Sequence, residues 1–233
     1  MKYIHFFNDD TEFDNYVSTQ YEEPFLSVCE GTLDYNIYKT NGFEYVDMGL
    51  PSGIIWATCN VGADSPTEYG DYFAWGETDT KGSYSWSNYE WGTQNDLTKY
   101  YSGDGKYILD LEDDAARVNM GGRWRMPNST DFWELYNNST QEVVTVDNVS
   151  CWKFTSNVNG NILLFPIAGY YSDRQRAAGT ELSMWLGDRS SNSTDDYACF
   201  FKYNPEENGQ DSFSRYNGIP VRGVIGKIYV YVD

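Results

Sequence analysis

His5 is the only histidine in the chain, and that one count removes whole classes of chemistry. A histidine metal trio cannot be assembled from a single imidazole. A Ser-His-Asp arrangement would have to recruit His5, far from the main domain. The cysteines Cys29, Cys59, Cys151 and Cys199 are spaced 30, 92 and 48 residues apart. No Cys-x-x-Cys pair occurs, so zinc and thioredoxin-type chemistry do not fit, and buried free thiols are expected. With 35 acidic residues against 16 basic ones, close carboxylate pairs are unavoidable and do not by themselves indicate glycoside hydrolysis. Asp113-Asp114 reads as a helix N-terminus hydrogen-bonded to Arg123 or Arg125. Asp104-Gly105 and Asp195-Asp196 are acidic turn pairs, but neither has the alternating oxygen ligands of an EF-hand. No cofactor, no metal site and no catalytic residue is expected, and the chain reads as a non-enzyme.

A formal charge of −19 argues against nucleic acid as a partner and against anionic membrane surfaces. It fits solubility at high local concentration, or divalent-cation binding through acidic loops. Aromatic residues make up 18% of the chain, enough for a large core and for exposed contact surfaces as well. No run approaches the roughly 18 apolar residues of a membrane span. The Met1–Asp10 segment has neither an apolar h-region nor a cleavage site, so folding in a cytoplasm is expected.

The elements that must position these residues fall into two parts. Residues 1–40 form a small α/β attachment or oligomerisation segment: a short helix through Phe13, Tyr16 and Val17, then a strand over Phe25–Cys29. It holds too little apolar area to stand alone. Residues 44–233 form the main domain. Strands are expected at Tyr45–Leu50 and Ile54–Ala57, joined by the Pro51-Ser52-Gly53 turn. Residues 77–106 read as long ordered loops pinned by Trp86, Tyr89 and Trp91. Helices are expected at Asp110–Val118 and at Asn128–Asn137, the second capped by Asn128 or Ser129 with Phe132, Leu135 and Tyr136 on one face. Ile162–Ala168 is a continuous apolar run typical of a fully buried strand. Further strands are expected within Ser183–Leu186, Tyr197–Phe201, Ile219–Val224 and Lys227–Val232. Between the helices lies Gly121-Gly122-Arg123-Trp124-Arg125-Met126-Pro127, a turn too specific to be generic.

Several blocks, in order, resemble the Fibrobacter succinogenes major paralogous domain family. They are Val46–Ala63 (VDMGLPSGIIWATCNVGA), Tyr69–Thr78 (YGDYFAWGET), Leu109–Ala116, Gly121–Pro127, Phe165–Tyr170, Trp185 and Val221-Arg222, covering about residues 44–225. The resemblance implies an α+β, C-type-lectin-like domain, loop-rich, with short antiparallel strands and two helices, related to the formylglycine-generating sulfatase-modifying fold. Trp56, Trp75, Trp124, Arg125 and Pro127 would be its structural motif. The reactive cysteine pair of the formylglycine-generating enzymes has no match, since Cys151 and Cys199 lie outside that wording. The Glu-Pro-Asn or Gln-Pro-Asp loop of calcium-dependent lectins is also missing. Segment 1–40 is similar to leader modules on proteins of Bacteroides phages.

This fold class also hosts the variable proteins of diversity-generating retroelements, whose C-terminal segment displays diversified residues on a rigid scaffold. In this chain residues 172–217 depart from the family's wording. Their composition resembles either a lectin-type ligand surface or an ordinary variable loop. On the first reading the contact residues are Tyr171, Asp173, Trp185, Asp188, Arg189, Ser191, Asn192, Tyr203, Asn204, Arg215, Tyr216 and Asn217. The implied function is a bacteriophage fibre or receptor-binding protein on the virion surface, assembled in the host cytoplasm. It would contact a host surface glycan or protein, would join other virion proteins through residues 1–40, and would form a homo-oligomer, with a trimer favoured. The alternatives are a bacterial surface or secreted lectin-like protein, and a capsid or tail decoration protein.

Overall fold

Period-two alternation in two neighbouring strands divides the interior. In Leu182–Arg189, Leu182, Met184 and Leu186 face one apolar cluster and Trp185 faces another. In Tyr197–Tyr203, Cys199 and Phe201 join the first cluster, Ala198 and Phe200 the second. A sheet buried on both faces is the consequence. The computed structural model describes residues 37–191 and 194–226. The expected helix near Phe13, the strands at Phe25–Cys29 and Lys227–Val232, and His5, Cys29 and Asn192 lie outside the described residues.

The first sheet is β1 (Ile37–Thr40), β2 (Phe43–Val46), β3 (Ile55–Asn60) and, at its far edge, β16 (Arg222–Ile225). Strand β1 thus begins inside the segment assigned above to attachment and pairs in register with β2, Ile37 opposite Val46. Short pairs organise the loops: β4 (Tyr72–Phe73) with β15 (Ile219–Pro220), β5 (Gly92–Thr93) with β6 (Asp96–Leu97), and β10 (Tyr170–Tyr171) with β11 (Gln175–Arg176). A second sheet contains β7 (Ser139–Val146), β8 (Val149–Ser156) and β9 (Ile162–Pro166). The third contains β12 (Leu182–Arg189), β13 (Tyr197–Tyr203) and β14 (Asn208–Ser214). Pairing between named strands is antiparallel throughout, so the class is loop-rich α+β.

Among the described residues two helices accompany the sheets, α1 (Ala115–Met120) and α2 (Ser129–Asn137). The expected Asp110–Val118 helix is split: a single 3-10 turn spans Leu111–Asp113, and α1 starts only after Asp114. The reason is capping. The Asp114 side chain accepts from Arg117 N and takes Met126 N as well, fixing Asp114 in extended backbone. The expected bond from the aspartate pair to Arg123 or Arg125 is not formed. Arg125 donates to Asp131 at 2.6 Å, and Asp113 takes Lys99 and the Tyr100 hydroxyl instead. Helix α2 begins as expected, with Asn128 and Asp131 in a reciprocal capping box.

Each interior cluster is closed by a buried arginine. Arg222 donates to Asn60 Oδ1 at 2.9 Å, Ala57 O at 2.8 Å, Thr58 O at 2.5 Å and Leu164 O at 3.0 Å, with its guanidinium 4.7 Å from the Phe165 ring centre. It therefore ties β3 and β16 to β9. Arg215 donates to Tyr89 Oη at 3.1 Å, Tyr100 O at 3.2 Å, and Lys99 O and Asp195 O at 2.9 Å each, stacked 4.8 Å from Trp75. It ties loops that have almost no ladder of their own. Two indoles cross-brace the same side: Trp75 Nε1 donates to Leu186 O at 2.7 Å and Trp185 Nε1 to Phe73 O at 2.8 Å. Trp124, fully buried, lies edge-on to Phe43 at 6.4 Å and beside Gly223. It joins the first sheet to the Gly121–Pro127 turn.

Candidate ligand-binding site

Helix α2 turns Phe132 and Leu135 into the core and Trp133 outward, where the indole stays 38% exposed. The ring is held in place from β14: Trp133 Nε1 donates to Gln210 Oε1 at 2.8 Å, and one turn on Tyr136 Oη donates to Asn208 Oδ1 at 2.6 Å. Between those two strand residues sits Gly209, at φ +128°, and a Cβ there would stand 3.5 Å from the Trp133 ring. The ring overlooks a cleft of about 340 Å³ lined by Trp133, Ser190, Ser191, Cys199, Gln210, Asp211 and Ser212.

The cleft's electrostatics are simple. Burial opposes ionisation of Asp211, but the Lys202 amine at 2.6 Å and its own neighbour's N–H hold the carboxyl below its ordinary range. Burial, with the Asp188 charge, pushes the Cys199 thiol up, and Gln210 Nε2 reaches its sulfur at 3.4 Å. At neutral pH the lining therefore holds one carboxylate, an un-ionised thiol, hydroxyls and an amide. Among the described residues no lysine, arginine or histidine lines it.

Four of the residues expected to contact ligand are buried and cannot form a surface. Trp185 and Arg215 are core braces, Arg189 pairs with Asp195 beneath Tyr107, and Asn217 bonds Ser214 O at 2.9 Å. Each carries polar atoms that the fold consumes internally. The rest divide. Tyr203 packs on Trp152 at 5.2 Å, and Asn204 shapes the β13–β14 turn by accepting from Glu206 N and Glu207 N. Tyr171 lies 4.9 Å from Tyr72, Tyr216 lies 5.2 Å from Trp86, and Asp173 pairs with Arg176 at 2.5 Å. Of these, Tyr171 and Tyr216 belong to the aromatic loop cluster around Tyr84 and Tyr89. Asp188 accepts from Ser129 N and Oγ, closing the start of α2. Of the eleven that lie within the described residues, Ser191 alone lines the cleft. Trp133, Gln210 and Asp211 line it and are not among the residues expected to contact ligand. The available signal was Trp133 itself, which helical spacing sets off the Phe132–Leu135–Tyr136 stripe.

The acidic groups have protein partners. Asp110, Glu112 and Asp113 place oxygens within 4.8 Å of one another, but Lys99 Nζ lies 3.0 Å from Asp110 and 3.3 Å from Glu112 and is bonded to Asp113. Asp104 accepts from Tyr100 N and Lys106 N, and Asp195 from Ser102 N at 2.9 Å. Cys151 and Cys199 are buried and Cys59 is half-buried, all as free thiols. Among the described residues no helix is long and apolar enough to cross a membrane. No protein-family model, curated protein or solved structure matches the chain.

Proposed function

We propose that this protein is a non-enzymatic binding module of C-type-lectin-like fold, displayed on a bacteriophage virion, whose contact surface includes the Trp133 cleft. The observation that carries the reading is the cleft's lining. A fixed, exposed indole stands beside hydroxyls, an amide and a single carboxylate. Such a surface recognises shape and hydroxyl pattern. It is poorly equipped for turnover: glycoside hydrolysis uses two carboxylates, and the one thiol is un-ionised. The family resemblance over residues 44–225 supports the fold, and the phage-leader similarity of residues 1–40 supports the setting, with that segment joining neighbouring virion proteins. On this reading the ligand is a host surface glycan or protein.

The test is adsorption of the fluorescently labelled full chain to a panel of intact Bacteroidota cells, with soluble products analysed in parallel. Saturable binding to some strains, reduced at least tenfold by Trp133→Ala and without released products, is expected. Release of cleaved glycan would replace the binding reading with an enzymatic one. A chain that binds no strain, found ordered in a virion map, would favour the decoration role.

A further inference from the structure

We propose that the Trp133 cleft takes one uncharged sugar ring and does so without calcium. The inference rests on the binding-module reading and names the ligand class for that surface. Size comes first: about 340 Å³ is at the small end of ligand pockets, which run from roughly 300 to 1,000 Å³, and suits one ring better than an extended segment. A sugar ring has an apolar C–H face and a rim of hydroxyls, and the cleft offers both complements. Trp133 supplies the flat apolar face, and its bond to Gln210 fixes the ring's tilt before any ligand arrives. Ser190 and Ser191 can donate and accept, whereas ionised Asp211 only accepts and so selects hydroxyl donors.

Charge then narrows the class. An ionised Asp211 whose charge already has Lys202 as its partner, a lining without lysine, arginine or histidine among the described residues and a chain charge of −19 disfavour a uronic or sialic acid. A peptide side chain of similar size would look for aliphatic walls, and the cleft has none. Calcium has no role here, since the lining contributes a single carboxylate, already bonded to Lys202 at 2.6 Å.

Saturation-transfer NMR on the full chain in the presence of a chelator tests this. The probes are the methyl glycosides of glucose, galactose and mannose, N-acetylglucosamine, glucuronate and N-acetylneuraminate. A ring of about a dozen non-hydrogen atoms should bind with a Kd on the order of 1 mM. Signal from at least one neutral probe is expected, weakened at least tenfold in Trp133→Ala. Ser191→Phe, at an exposed position where folding should survive, should block the cleft to the same degree. Signal that persists in both variants, that comes only from the anionic probes, or that requires added calcium overturns the proposal. If all probes are silent while cells are still bound through Trp133, the ligand is not a sugar and the binding reading stands. If cell binding is lost as well, both readings fail.

Discussion

Arg222 and Arg215 solve the same problem on opposite sides of the β12–β14 sheet, and the difference between them shows what each side is made of. Both guanidiniums are fully buried, both lie over aromatic rings, and neither is bonded to a carboxylate among the described residues. Arg222 bridges strands that already have ladders, so its bonds add to a regular framework. Arg215 gathers carbonyls from Lys99, Tyr100 and Asp195, residues that belong to no strand pair. One side is a sheet core reinforced by an arginine. The other is a set of loops that converge on one.

The sharpest way to break this comparison is to remove each arginine. Arg222→Met removes four charge-assisted hydrogen bonds from the sheet core and should cost on the order of 5 kcal/mol, enough to unfold a typical domain cooperatively. Loss of the denaturation transition in circular dichroism would show it. Trp124→Ala comes next, at about 4 kcal/mol from the cavity left between the first sheet and the Gly121–Pro127 turn. It should lower the melting temperature of the whole domain, and a fully folded Trp124→Ala that had lost only ligand binding would show that the residue belongs to a contact surface. Arg215→Met should register globally as about 3 kcal/mol or less, because the loops can open without the sheets. Hydrogen exchange should rise over 77–110 and 190–196 while β7–β9 stay protected. Uniform exchange in this variant would erase the distinction between the sides. Asn128→Ala, which removes one cap, should cost about 1 kcal/mol with no change in exchange elsewhere.

The smallest expected effect is a pH effect confined to the loop side. Lys106 and Lys99 hold the Asp110 carboxyl below its ordinary value of 3.8. Burial works against Asp195, but Ser102 and Arg189 still hold it low. Depressed carboxylates contribute stability that is complete above the unfolded value and is lost as pH falls through the folded one. Below about pH 4 the loops around Asp110 and Asp195 should therefore loosen before β7–β9 do. Exchange rates corrected for intrinsic pH dependence would reveal the order, and simultaneous loosening would contradict it.

What the sequence discloses follows the range of the interaction. The Asn128 cap, the inward stripe of α2 and the apolar β9 run are local, and they sit where periodicity and capping rules place them. Trp56, Trp75 and Trp124 are buried. The β7–β8 hairpin carried a local signal as well, Asp147-Asn148 at positive φ between β-branched runs, in a stretch assigned to no strand above. Arg215, Arg189 and Asn217 were read as surface because polar residues usually are. Arg215 was the least readable, since two of its acceptors lie 115 and 116 residues away and are backbone atoms that no side-chain pattern encodes. Trp133 could be placed on its helix, but its partner Gln210 is 77 residues distant, so its role as a platform was not legible.

The Arg215 cage has a consequence for how this molecule can diverge. Its three carbonyl acceptors are the same whatever side chains residues 99, 100 and 195 carry. A scaffold fastened through main-chain oxygens tolerates turnover in its loops as long as the one arginine and its aromatic neighbours persist. Descendants of this chain could therefore keep their architecture while the lettering of those loops drifts beyond recognition.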